Sequence, residues 1–470
     1  MHIAQHPLWL AVPLALASGY LYVQVAGSWI IYLNALHPPK SANPVHDFTV
    51  DVFVTTYDEP LAMVERALSA AVAMRGAHRT WLLDDGSNPE FRALAQHCGV
   101  DYLTRSPRHN AKAGNINAAL PRTQGDIIAV FDVDHIPTPD FLEQTVGHFT
   151  DPAIGFVQVM LTYSDKNRNW VPQAAAESCL DFYNPTSIGM ERLRSTTMMG
   201  SNSLLRRSAL ESIGGYRPGL AEDLATSIAL HAEGWRSVYV AKPLAPGEAP
   251  PDLAAWFTQQ LKWARGVFEL LLTAYPRCWS RLTGGQRLGY LVRMTKYLIG
   301  PFIGIHLALT LLVLVSKNAA VVNFFQAYLL ALLPVLLMDL LIRHTALATW
   351  RPPNGISTSV RRAIALVYVT FPIYTVAWVM ALLRLPLSFV PTPKVAREGL
   401  SPIWRLPLFM AVLILGGAMA VALNNPHRSA VVCAFSALQS IPILVLLWQS
   451  IVNRQWPRRQ TPETNPVGPA

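Results

Sequence analysis

Apolar residues are spread unevenly along this chain. An uncharged run, Leu8–Leu36, comes first, and a region of mixed composition follows. Apolar runs then return at Leu298–Val315, Ala319–Ile342, Ala363–Leu383, Leu406–Leu423 and Ala430–Val452. Runs of about 20 apolar residues match the thickness of a bilayer. The pattern therefore predicts a polytopic membrane protein with one globular domain inserted after its first helix. Leu8–Leu36 is slightly longer than one span needs and predicts one long or tilted helix, with two short helices as the alternative. It has neither the basic start nor the A-x-A ending of a cleaved signal, so it is expected to be retained.

In the mixed region the period shortens. Phe48–Thr55 alternates and is rich in β-branched residues, and Thr80–Leu83 and Ile127–Phe131 are short apolar runs, so all three read as strands. Leu61–Arg75 and Ala225–Gly234 read as helices, and Leu253–Tyr275 as an amphipathic helix. Strands alternating with helices predict an α/β domain with a mostly parallel sheet. Each strand stops in polar or acidic residues: Thr56-Tyr57-Asp58-Glu59, Asp84-Asp85-Gly86, and Asp132-Val133-Asp134-His135. Open α/β sheets bind ligands at the carboxyl ends of their strands, so three such ends on one edge converge on a site.

The residue types suggest the chemistry. Asp132 and Asp134, together with the diphosphate of a nucleotide-sugar, would offer a hard divalent cation the oxygen ligands it prefers; a solvated turn is the competing reading of this short motif. Strand-end acids such as Glu59 and Asp85 suit a ribose hydroxyl or a base edge, and Tyr57 can stack on a base. Lys112, beside Gly114 and Asn115, can reach phosphate or sugar hydroxyls, unless it is simply solvated. Glu222 and Asp223 fall at a helix N-terminus, where acids complement the macrodipole; Asp223 also has the chemistry of a general base. Gln259, Lys262 and Trp263 share the amphipathic helix. Trp263 offers a flat face to a sugar ring and Lys262 a charge to a diphosphate, although an ordinary interfacial helix carries the same residues.

Composition narrows the partners. Of 470 residues, 51% are hydrophobic and 14% charged, with a formal net charge of +9. That excess fits loops facing anionic lipid and a phosphate-bearing substrate. The basic residues are scattered, which argues against nucleic acid. Cys98, Cys179, Cys278 and Cys433 contain no C-x-x-C pair and are expected to be free thiols.

In this order the segments resemble membrane-embedded family 2 glycosyltransferases, the group of cellulose, hyaluronan and chitin synthases, and most closely bacterial cellulose synthase catalytic subunits. VTTYDE (Val54–Glu59) is similar to their TYNE element, and DDG (Asp84–Gly86) matches. NAKAGNINAAL resembles HAKAGN, FDVDHIPTPDFL the D-x-D strand, and MMGSNSLLRR the FFCGS segment. AED (Ala221–Asp223) stands where they have TED, QQLKW where they have Q-x-x-R-W, and FVPTPK (Phe389–Lys394) resembles their gating-loop motif. The departures are Lys262 for Arg, Ala221 for Thr, Met198-Met199 for Phe-Cys and Pro391 for Val. Arg-to-Lys loses a bidentate fork to phosphate.

The resemblance implies a GT-A-type α/β domain, facing the cytoplasm, inserted in an α-helical membrane domain. It implies inverting transfer from a UDP-sugar, UDP-glucose foremost, to a growing β-linked polysaccharide that leaves through the membrane. In this reading Thr56, Tyr57, Glu59 and Asp85 hold the nucleotide and Lys112 and Asp132 the donor. Asp132 and Asp134 hold Mg²⁺ or Mn²⁺, and Asp223 is the base. Glu222, Gln259, Lys262 and Trp263 serve the acceptor and diphosphate. Phe389, Thr392 and Lys394 close over the nucleotide. A periplasmic accessory subunit is compatible with this picture, and a cyclic-di-GMP-binding domain after the last helix is not expected. The competing functions are a single transfer to a membrane lipid and a transporter or sensor that only binds nucleotide-sugar.

Topology follows from charge. Arg343, Arg351, Arg361 and Arg362 precede Ala363–Leu383, and Arg384, Lys394, Arg397 and Arg405 follow it. The positive-inside rule puts both sets in the cytoplasm, which requires Ala363–Leu383 to lie in the interface or to re-enter without crossing; the interfacial placement is expected. The expected organisation is a membrane segment at 1–40, the GT-A domain at 41–250, interfacial helices at 251–297, and a membrane domain at 298–453. That last unit contains the interfacial helix 363–383 and the loop 384–405; a cytoplasmic tail, 454–470, closes the chain. Five spans place the N-terminus outside and the catalytic domain inside the plasma (inner) membrane.

Overall fold

The structure is a computed structural model that describes residues 8–35, 48–165, 169–349, 361–388, 405–424 and 430–455. Its centre is strand β1, Val50–Thr56, in which all seven residues are buried. The alternation in its sequence therefore does not mark a solvated face. Its polar position, Asp51, is buried and satisfied. Asp51 accepts from Trp81 Nε1 at 2.8 Å, from the Gly125 backbone N–H at 2.5 Å and from Arg207 Nη2 at 3.0 Å. A buried charge is tolerated when paired and hydrogen-bonded in this way.

The other strands are β2 (Arg79–Asp84), β3 (Asp101–Thr104), β4 (Ile127–Asp132), β5 (Ile154–Val159), β6 (Ser203–Arg206) and β7 (Arg236–Val240). They form one sheet in the order β3-β2-β1-β4-β6-β5-β7. β1 pairs in parallel with β2 and β4, and β6 runs antiparallel between β4 and β5. Register fixes the site: Thr55 lies opposite Asp132, and Thr56 opposite Asp84. The polar strand ends thus share one edge. Val54, Leu82, Phe131 and Phe141 belong to an apolar layer on one face, and Phe53, Leu83, Val130 and Tyr216 to a layer on the other.

Beyond the sheet, the Leu253–Leu272 helix is covered lengthwise by the Arg361–Leu382 helix. Trp256, Phe257 and Ala264, Phe268 pack on Leu366, Val369 and Tyr374, Ala377 respectively. Trp256 Nε1 donates to Thr370 Oγ1 at 2.9 Å, and Tyr374 Oη to Gln260 Oε1 at 2.7 Å. The Ile299–Val315 helix closes in from the far side through Gly300, where a Cβ would stand 2.5 Å from that of Tyr374. Among the described residues four helices are long and apolar enough to cross a membrane: Leu8–Asn34, Gly284–Val315, Ala319–Ala348 and Arg362–Leu382. Two shorter apolar helices, Leu408–Asn424 and Ala430–Val445, follow.

Candidate active site

The strand-end edge opens into a cavity of about 670 Å³. Its lining includes Thr56, Tyr57, Glu59, Asp85, Lys112, Asp132 and Asp134 from the sheet side. It also includes Glu222, Asp223, Gln259, Lys262 and Trp263 from the two helices beyond. Phe389, Thr392 and Lys394 lie outside the described residues.

Local hydrogen bonds shape the nucleotide side. Glu59 Oε2 accepts from Thr56 Oγ1 at 2.7 Å and from the Tyr57 N–H at 2.8 Å, so it braces the turn that presents Tyr57. Tyr57 itself is 49% exposed, at the rim. The adjacent turn depends on Asp84, whose carboxylate accepts from the N–H groups of Gly86 and Asn88 and from Tyr102 Oη. Gly86 permits a close approach: a Cβ there would lie 2.0 Å from the Tyr57 carbonyl oxygen. Asp85 is held by a two-pronged ion pair with Arg105, at 2.7 and 2.9 Å. Planar fork-to-carboxylate pairs of this kind fix orientation as well as charge.

The segment around Lys112 is a short helix, Ala111–Ala119, entered through Asn110 in the left-handed region at φ 63°. Lys112 Nζ donates to Asp132 Oδ1 and, at 2.9 Å, to the Gly200 carbonyl. Burial pulls the Lys112 ammonium down, but Asp132 and Glu222 outweigh it and keep the lysine charged. Burial likewise pushes Asp132 up, and Lys112 and His135 together more than offset it, leaving the carboxylate below its usual range. Asp132, Asp134 and His135 bring their ligand atoms within 4.8 Å of one another. Carboxylate oxygens with one imidazole suit Mg²⁺ or Mn²⁺.

Glu222 and Asp223 occupy the first turn of the Glu222–Ala232 helix, which begins three residues before the sequence pattern suggested. Burial pushes Glu222 up to about 7, with Asp223 beside it adding to the shift. Burial raises Asp223 too, and Arg293 and Lys112 pull it back. Gln259, Lys262 and Trp263 are spaced i, i+3, i+4 and so share one helix face. Gln259 Oε1 is buried with no hydrogen-bonding partner among the described residues. A buried orphan oxygen is costly unless a ligand donates to it.

The family described as Glycosyl transferase family group 2 matches residues 127–423. The chain belongs to this family. It is 33% identical to cellulose synthase 1 of Komagataeibacter xylinus over 348 residues, which are 71% of this chain and 22% of that protein. It is 36% identical to the UDP-forming cellulose synthase catalytic subunit of Xanthomonas axonopodis pv. citri over 262 residues, 54% of this chain and 36% of that protein. The chain therefore spans well under half the length of these relatives. A mannosyltransferase from Pyrobaculum calidifontis, solved with GDP-Man and Mn²⁺, shares the fold at a TM-score of 0.52 and 18% identity, covering 80% of this chain and all of that one.

Several lining residues of this glycosyltransferase escaped the sequence reading. His135 was adjacent to the D-x-D pair but read as part of its tail. Arg105, which pairs with the lining residue Asp85 without lining the cavity itself, sits in a loop with no periodic signal. Arg293 and Lys296 also line the cavity, as do Tyr163, Cys179 and Tyr374. The segments that carry them are distant in sequence, and the packing of 253–272 against 361–382 brings Tyr374 to the site.

Proposed function

We propose that this family 2 enzyme transfers a sugar from a UDP-sugar, UDP-glucose foremost, to a hydroxyl of a growing β-linked polysaccharide at the inner face of the plasma membrane, inverting the anomeric centre. The observation that carries the reading is one cavity lined by the strand-end acids, by Asp223 and by the Trp263 helix. A module that only binds nucleotide-sugar needs neither of the latter.

In this reading Tyr57, braced by Glu59, stacks on uracil, while Thr56 and Asp85 hold the nucleoside. Asp132, Asp134 and His135 would hold Mg²⁺ or Mn²⁺. That ion, when bound, offsets the negative charge that grows on the departing diphosphate. Lys112 and Lys262 add positive charge on the same side. Trp263 stacks on the acceptor sugar and Gln259 Oε1 accepts from one of its hydroxyls. Asp223 takes the proton from the attacking hydroxyl, whose oxygen bonds to the anomeric carbon as the bond to UDP breaks. Phe389, Thr392 and Lys394 close over the nucleotide and exclude water, and the product passes between the membrane helices.

The test incubates membranes containing the protein with a panel of radiolabelled nucleotide-sugars and Mg²⁺ or Mn²⁺, with Asp223→Asn as the blank, and sizes the product. High-molecular-weight material from one donor is expected. A small, organic-soluble product would instead indicate single transfer to a lipid. No product from any donor, with UDP-sugar binding retained, would leave a binding protein.

A further inference from the structure

Two cations in the cavity have no part in the donor chemistry. Arg293 and Lys296 stand three residues apart, where the Gly284–Thr295 helix gives way to the Ile299–Val315 helix. Both charges lie over the ring of Phe182, at 4.8 Å for Arg293 and 5.5 Å for Lys296. Arg293 donates to Thr197 Oγ1. Lys296 is exposed and lines the cavity, and its ammonium has no hydrogen-bonding or ion-pairing partner among the described residues. The carboxylate on the neighbouring helix, Asp181, accepts from Tyr32 Oη and from Arg343 instead.

This wall joins the base to the membrane helices. On one side Arg293 is close enough to Asp223 to oppose the upward push of burial on that carboxyl. On the other, Tyr20 Oη in the Leu8–Asn34 helix donates to the Lys296 carbonyl at 3.3 Å. Gln24, one turn further on, donates to the Val292 carbonyl at 3.1 Å and to Thr295 Oγ1 at 2.6 Å. Two like charges over one ring, on the wall of one cavity, repel each other. A neutral sugar does nothing to relieve that repulsion, whereas an anion does.

We propose that the first acceptor, on which the polysaccharide is started, carries a phosphate ester, held by Arg293 and Lys296 while its attacking hydroxyl faces Asp223. A phosphate group, doubly charged as a monoester and singly charged as a diester, accepts from both the guanidinium fork and the ammonium. The new glycosidic bond forms at the hydroxyl and the phosphate ester stays intact, so the phosphate is an anchor and not the nucleophile. The assignment rests on the glycosyl-transfer reading above. The phosphate belongs either to a lipid that reaches the wall from the bilayer or to a soluble phosphorylated sugar.

The experiment uses the full chain in phosphatidylcholine nanodiscs and two pairs of acceptors, each differing only in phosphate. The pairs are glucosyl farnesyl phosphate against farnesyl glucoside, and glucose 6-phosphate against glucose. The phosphorylated member of one pair should have a KM lower by about tenfold or more, the size of one charge-assisted hydrogen bond. Preference in the farnesyl pair identifies a lipid source, and preference in the glucose pair a soluble one. Lys296→Gln should raise that KM about tenfold without changing the donor KM, and Arg293→Lys should lose less than Arg293→Gln. Equal use of both members of each pair, or equal effects of the variants on both, overturns the anion site. UDP release without acceptor reads the donor reaction separately. If it persists while the phosphate preference is absent, the anion site alone fails; if no donor yields UDP, the glycosyl-transfer reading fails and takes this proposal with it.

Discussion

Two neighbouring carboxyls set the pH behaviour of the site. Asp223 must be ionised to accept a proton, yet burial raises it and Glu222 beside it titrates near 7. Transfer should therefore fall on the acid side at a higher pH than an ordinary aspartate would impose, and Arg293→Gln, which removes a charge that pulls Asp223 back down, should move that acid limb to higher pH. A rate profile whose acid limb stays in place would rule out coupling between Arg293 and Asp223. Glu222 makes a stability prediction. A carboxyl raised from 4.5 to about 7 on folding favours the fold most below its unfolded value, and that contribution is lost as pH climbs through 7. Glu222→Gln should consequently be more stable than the parent at pH 8, by on the order of a few kcal/mol, seen as a higher unfolding temperature, with the gap closing towards pH 4. Gly86 offers a third test. A methyl group there would meet the Tyr57 carbonyl at 2.0 Å, so Gly86→Ala should displace the nucleotide turn and raise the donor KM about tenfold or more, measured by UDP release.

Among the elements, the Arg361–Leu382 helix does most to close the cavity. Tyr374 reaches Gln260 on the cavity helix, and Tyr374→Phe would leave a buried Gln260 oxygen unpaired. The expected loss is about 1–3 kcal/mol, visible as a lower unfolding temperature. Gly300→Val should cost more, because the Ile299–Val315 helix could no longer approach Tyr374. The sequence made some of these elements legible and hid others. β1, β2 and β4 were readable because their apolar runs end abruptly in acids, and observed ends at Thr56, Asp84 and Asp132 fall within a residue of those expected. β3, with four half-buried residues, and β6, which the apolar-basic run Leu204–Arg207 resembles only weakly, carry no period to read. Asn110–Asn117 carries little helical signal because Gly and Asn are poor helix formers; packing of Ala113 and Ile116 under the sheet overrides that preference. Contacts such as Arg105 with Asp85, or Tyr374 with Gln260, depend on tertiary approach and leave no local trace.

For the whole molecule, the open question is which side of the membrane each loop occupies, and the Arg361–Leu382 helix decides it. By length and composition this segment could span. Its packing favours another placement. From Ala365 to Ala381 one face lies along the Leu253–Leu272 helix, which itself lines the catalytic cavity. Near its N-terminus, Arg362 donates to Glu177 of the Trp170–Asp181 helix. At its other end the Leu385 carbonyl accepts from Arg265. One end is thus tied to the Trp170–Asp181 helix and the other to the cavity-lining helix. Phe371 meanwhile packs with Ile303, Leu307 and Ile414 of the apolar helices. A helix bound at one end to the globular domain, at the other to the cavity-lining helix and on one flank to the membrane helices fits the boundary between them. In that arrangement the basic residues before and after it stay on the same side, as the positive-inside rule requires. Cytoplasmic and periplasmic reporters fused after Arg351 and after Thr392 provide the check. Both positions should support only the cytoplasmic reporter. Periplasmic activity at Thr392 alone would make this helix a true span and would place the Phe389–Lys394 loop on the far side of the membrane from the nucleotide it is proposed to cover.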